Sequence, residues 1–173
     1  MDPTSFRRSF KLKNGAAITL RAIHPDDRER LRTAFSRLDP RSIYTRFFGV
    51  KRELTEAELT AATAVDFEAV VALVAVLDSD PETIIGGGRY FRTKGPGSLE
   101  AEVAFTIEED YQGLGLASLI LREMAQIAKA AGLARFSAEV LPTNTAMLEV
   151  FRRSGLPMSC RTEGGVVHIT LDL

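Results

Sequence analysis

Apolar and polar positions along this chain repeat with two periods, about two and about three and a half residues, and the switches between them mark out strands and helices. Residues 16–22 read as a short strand closed by Pro25. Leu31 and Phe35, four apart, mark a helix over 26–38. Tyr44-Thr45-Arg46-Phe47-Phe48 is a short aromatic-rich segment. Thr55-Glu56-Ala57-Glu58 has capping-box spacing and predicts a helix running to about Ala64. A valine-rich strand over 68–77 ends at the turn Asp78-Ser79-Asp80-Pro81, and a second over 82–93 is interrupted by Gly86-Gly87-Gly88, which weakens or bends it. The turn Lys94-Gly95-Pro96-Gly97 leads into a third strand over 99–107, so the short connections predict an antiparallel meander. Beyond Gln112 the spacing predicts a long helix over 116–131 ended by Gly132, then a strand over 135–141. A helix over 144–154 ended by Gly155 follows, with a last hairpin over 158–171 turning at Gly164-Gly165. The first ten residues are expected to be a flexible tail, with the cluster Arg7, Arg8, Lys11 and Lys13 solvated. The whole reads as one mixed α/β (α+β) domain without repeats or linkers.

Composition narrows the function classes. The 173 residues carry 22 basic and 23 acidic side chains, a net charge of -1, which argues against a nucleic-acid partner held by a basic face. A hydrophobic content of 45% supplies a core, so disorder is not the expected state. Cys160 is alone and the histidines are His24 and His168, so no disulfide pair and no cysteine- or histidine-rich metal cluster is expected. The N-terminus lacks the apolar run of a secretory signal and no stretch is long enough to span a membrane, which points to a cytoplasmic protein without a membrane partner.

Candidate chemistry gathers at Glu108-Glu109-Asp110-Tyr111-Gln112-Gly113-Leu114-Gly115-Leu116-Ala117, where a strand feeds a glycine-bearing loop that opens the long helix. Free amides at a helix N-terminus, together with the positive end of its dipole, suit an anion. Glycines allow close backbone approach and positive φ. The loop has neither the lysine-serine pair of a P-loop nor the three spaced glycines of a dinucleotide fingerprint. The residues alone leave an ordinary helix start open.

Gln112-Gly113-Leu114-Gly115-Leu116-Ala117 resembles the Q/R-x-x-G-x-G/A loop of the GNAT superfamily of N-acetyltransferases, and the order of elements around it agrees. That resemblance implies a GNAT-like, mainly antiparallel central sheet of about six to seven strands flanked by helices. It also implies acetyl-CoA as cosubstrate, lying between two splayed strands over 99–107 and 135–141. Its pantetheine arm would pair with the backbone of Phe105, Thr106 and Ile107, and its pyrophosphate would sit on the amides of 112–117. Asn144 would approach from the other side, and Met147 and Phe151 would form wall and core. No metal is implied. Residues 12–23, Tyr44 to Phe48, Val65-Asp66-Phe67, Val71-Ala72-Leu73-Val74 and Ala101 to Thr106 are further similar to bacterial protein lysine acetyltransferases. The acceptor this implies is a protein lysine, in metabolic enzymes such as acyl-CoA synthetases. A small-molecule amine, or a silent acyl-CoA sensor, stays open. Some members carry a regulatory cyclic-nucleotide domain, for which this chain has no room, so such control is not expected.

An amine near pKa 10.4 is about one part in a thousand neutral at neutral pH, so acyl transfer needs a base. Glu102 matches the general-base glutamate of the similar enzymes, and its apolar strand should raise its pKa by desolvation. Strand alternation puts Glu100, Glu102, Ala104 and Thr106 on one face and Val103, Phe105 and Ile107 on the other, unless the bulge implied by the resemblance breaks it. Glu139 on the neighbouring strand is the reserve. His24, His168 and Cys160 are expected to be structural or incidental. Many GNAT enzymes protonate the departing thiolate with a tyrosine, but here that position is Phe151, which has no proton to give.

Overall fold

A computed structural model of the chain describes residues 2–47, 51–95 and 97–173; Phe48 and Pro96, used in the sequence reading, lie outside them. One mixed sheet of eight strands runs in the order β1-β2-β3-β4-β5-β6-β8-β7. The strands are β1 (Arg7–Lys11), β2 (Ala17–Ala22), β3 (Val70–Leu77), β4 (Asp80–Arg92), β5 (Glu100–Ile107), β6 (Arg135–Val140), β7 (Met158–Glu163) and β8 (Val166–Asp172). The helices are α1 (Arg28–Ser36), α2 (Pro40–Phe47), α3 (Glu56–Thr63), α4 (Leu116–Ala130) and α5 (Thr145–Arg152). Every pairing is antiparallel except β5 with β6.

Helix α4 buries Leu116, Ile120, Met124, Ile127 and Ala128, a stripe with helical spacing, against one face of the sheet. The glycine run lets it come close. A Cβ on Gly88 would lie 2.7 Å from Ile120 and 2.8 Å from Phe105, where no side chain fits. The β3–β4 register shifts beside this run, leaving Ile85 unpaired between Gly86 and Ile84, so the bend expected at the glycines is a bulge. On the other face Ile23, Ala72, Val74, Val76 and Ile84 form a smaller core with Leu31 and Ala34 of α1. Thr55 and Glu58 make the full capping box that starts α3.

The expected N-terminal tail is a strand. β1 pairs with β2 from Arg7↔Arg21 to Lys11↔Ala17, at the sheet edge. Phe6 and Leu12 are buried in the main core, and Arg8 bonds the carboxylate of Glu123 on α4 at 2.7 Å, where Glu123 is only 2% exposed. Burying a carboxylate demands a cation; Arg8 supplies one and Arg122, at 3.0 Å, a second. With β1 included the strands number eight, not six or seven.

A candidate active site where two parallel strands part

β5 and β6 pair over three rungs, Glu100↔Arg135, Ala101↔Phe136 and Glu102↔Ser137, and no further. Arg135 staples the closed end, bonding Glu100 at 2.9 Å and Asp172 at 3.0 Å, while Tyr90 and Phe136 pack with ring centroids 5.4 Å apart beneath it. Beyond the last rung the strands open into a cleft of about 460 Å³, within the size range of small-molecule sites.

The cleft collects nearly every residue singled out in the sequence. Glu102 stands at the fork, followed along β5 by Phe105, Thr106 and Ile107; Gln112, Gly113, Gly115, Leu116 and Ala117 close one end; Asn144, Met147 and Phe151 form the facing wall. Leu114 does not line it. Its side chain packs on the main core and its carbonyl accepts from the amide of Lys13 at 3.3 Å. The implied bulge in β5 is also missing. The β4–β5 register runs unbroken from Gly86↔Ile107 to Arg92↔Ala101, and burial alternates residue by residue, so Glu102, Ala104 and Thr106 share a face.

At the loop, Gly113 and Gly115 take φ of 73° and 93°, the left-handed region that only glycine enters cheaply. Gly115 is the N-cap of α4 and no side chain caps that helix, so its opening amides face the cleft unanswered. Four cations not expected at the site from the sequence also line it: Arg46 of α2, and, toward the loop, Lys13 from the β1–β2 turn, Arg41 from α2 and Arg153 after α5. The donor set of free amides and cations fits a pyrophosphate. Gln112 anchors the loop, its Nε2 donating to the Ile107 carbonyl at 3.0 Å and to Ser42 Oγ at 3.2 Å. Asn144 Oδ1 accepts from the Met147 amide at 3.2 Å and caps α5, which leaves its Nδ2 as the group able to reach a ligand. Phe151, 1% exposed, packs on Phe105 at 6.0 Å.

Glu102 is half-buried, and its carboxyl is pushed above the ordinary range first by desolvation and then by the charge of Glu139, with Arg46 pulling back. Arg46, on α2 and given no site role by the sequence motifs, lines the same cleft. Glu139 is exposed, lines the same cleft and lies 3.4 Å from His168 Nδ1 on β8. His24 caps a short 3-10 turn, Cys160 is exposed on β7, and no group able to hold a metal ion occurs among the described residues.

A family model, the Acetyltransferase (GNAT) domain, matches the chain over residues 17–157, a span that includes the fork and the glycine loop. The chain belongs to the GNAT family of acetyltransferases. Acetyltransferase PA5475 of Pseudomonas aeruginosa is 31% identical over 140 residues, 80% of this GNAT chain and 74% of that protein. Acetyltransferase Pat of Mycolicibacterium smegmatis is 31% identical over 163 residues, 94% of this chain, which spans 48% of Pat's length. Among solved structures, the GNAT domain of S. lividans PAT superposes with a TM-score of 0.89 at 34% identity, covering 96% of this chain and 97% of that one. As a GNAT member the chain is an acyl-CoA-dependent transferase.

Proposed function

We propose that this chain is a cytoplasmic enzyme that moves the acetyl group of acetyl-CoA onto a lysine side chain of a protein by direct attack, with Glu102 as general base. The observation that carries this reading is the position of Glu102 at the fork of β5 and β6, on one continuous cleft with the uncapped N-terminus of α4. The opening amides of α4, with Lys13, Arg41 and Arg153, hold the pyrophosphate, and the backbone of 105–107 holds the pantetheine arm as an added strand would be held. Asn144 Nδ2 steadies the chain of the cosubstrate from the facing wall.

The thioester supplies an activated carbonyl carbon. Glu102 takes the proton of the incoming amine, the new C–N bond forms, and the C–S bond breaks. Its raised pKa suits the task, because a base closer to the working pH accepts a proton with a stronger pull. Backbone amides along 105–107 answer the negative charge that grows on the carbonyl oxygen. Phe151 stands where a tyrosine would protonate the sulfur, so the thiolate leaves as an anion and takes its proton from water.

The lysine acceptor rests on the likeness to the two enzymes named Pat and PAT. Folded proteins and free amines offered side by side with labelled acetyl-CoA test it. Label in protein lysines is expected, and label only in free amines would move the acceptor to small molecules. Cofactor binding with no transfer to any amine would leave a sensor.

A further inference from the structure

A second cavity of about 260 Å³ lies between α1, α3 and the sheet, walled by apolar side chains such as Leu31, Ala62 and Ile84. It meets the catalytic cleft at Arg46, Ala104 and Thr106, which line both. Arg89 lines the second cavity only. It is half-buried, and among the described residues no carboxylate bonds to it. Other arginines of the fold are served differently: Arg21 holds Asp27 through two bonds of 2.7 Å, and Arg30 holds Asp27 and Glu82. Two carboxylates line the same cavity without serving Arg89. Glu58 is taken by Lys51 and by the Thr55 cap, and the cation acting on Glu108 is Arg37. Desolvation first and then the charge of Arg89 depress the pKa of Arg46, with Glu102 opposing them, and burial depresses that of Arg89 as well.

A half-buried guanidinium to which no described carboxylate bonds, beside an apolar cavity, carries an electrostatic cost that an anion would relieve, and the fork of Arg89 matches a carboxylate. The strand register sets the distance. Arg89 lies opposite Ala104 on β5, and Phe91 opposite Glu102, so Arg89 is diagonal to Glu102 on one face of the sheet, with Cβ atoms about 7 Å apart. We propose that Arg89, with Arg46 beside it, holds a carboxylate of the acceptor, so that the substrate is an amine with a carboxylate a few bonds away. An acidic residue flanking a target lysine supplies that chemistry, and so does the carboxylate of a free amino acid. The inference rests on the reading of Glu102 as the base that receives the amine.

Binding to the enzyme–CoA complex tests it without needing turnover. Calorimetry compares two matched pairs: lysine peptides with a neighbouring glutamate or glutamine, and free alanine against alaninamide. The carboxylate member of one pair should bind about tenfold or more tightly than its amide, a normal margin for a charge-assisted fork. The pair that discriminates names the source. Arg89→Gln should bring that ratio to about one, and Arg89→Lys, which keeps the charge but loses the fork, should fall between. Equal affinity or no binding within both pairs, or discrimination that survives in Arg89→Gln, overturns the proposal. Failure of the Glu102 reading appears elsewhere, as absence of acetyl transfer from an enzyme that still discriminates carboxylate from amide.

Discussion

Gly115→Glu places a carboxylate at the N-cap of α4, where the pyrophosphate is held in our reading. Two costs are separable. The first is conformational: φ is 93° at this position, and an L-residue there loses about 1–2 kcal/mol. Space is not limiting, since the nearest atom to a new Cβ is Lys13 Cε at 3.7 Å, an ordinary contact. Gly115→Ala therefore measures strain alone. The second cost is electrostatic. A unit charge about 6 Å from a phosphate charge opposes it by about 3 kcal/mol at an effective dielectric near 20, roughly a hundredfold in affinity. The new carboxylate also engages Lys13 and withdraws that cation from the ligand. Calorimetric titration with acetyl-CoA, together with thermal unfolding, reads both. Gly115→Ala should lower the melting temperature with a modest loss of affinity, and Gly115→Glu should bind at least a hundredfold more weakly with a similar melting temperature. Wild-type affinity in Gly115→Glu would put the pyrophosphate elsewhere and refute the argument.

Asp27 is fully buried between Arg21 and Arg30, and although desolvation works to raise its pKa, their bonds and that of the His24 amide hold its carboxyl below the usual range. Asp27→Asn should therefore cost about 3–5 kcal/mol by chemical denaturation near neutral pH, and the difference from wild type should shrink as pH falls below about 4, where the unfolded carboxyl takes up a proton while the native one, held lower, keeps its charge until the pH falls further. Phe151→Ala should cost about 3–5 kcal/mol in the same measurement, because the ring is enclosed, whereas Phe151→Tyr should change turnover only modestly. Glu139→Gln removes the like charge that helps raise the Glu102 pKa, so the acid limb of kcat/KM should move to lower pH; an unmoved limb would mean the two do not share a field.

Much of the fold is legible because its signals are local. The capping box at Thr55, glycine stops at Gly132 and Gly155, and alternation along 99–107 each depend on residues within a few positions, and each element starts or ends near its signal. The loop was legible through its resemblance to the GNAT motif, since its residues alone leave an ordinary helix start open, and its glycines sit where the chain takes positive φ. β1 is not legible in the sequence because Arg8 interrupts the two-residue period that Phe6, Phe10 and Leu12 otherwise carry. Its partner charge, Glu123, lies 115 positions away, which no local pattern reveals. Sequence separation likewise hid Lys13, Arg41 and Arg46, which reach the cleft through the turn after β1 and through α2. The side chain of Leu114 turns to the main core, a direction that a loop motif, which names positions alone, does not carry.

The pH dependence of acetyl transfer by Glu102→Gln tests the central claim most directly. The substitution keeps size and removes the proton acceptor, so acetyl-CoA affinity should hold while kcat at neutral pH falls by about 10²–10⁴-fold. Wild-type kcat/KM should rise to a plateau through an apparent pKa above the ordinary carboxylate range, as desolvation and Glu139 require. In Glu102→Gln that limb should vanish or move toward the pKa of the substrate amine, and raising the pH should recover much of the lost rate. Near-normal turnover at neutral pH with an unaltered acid limb would contradict the assignment and pass the role to Glu139 or to water.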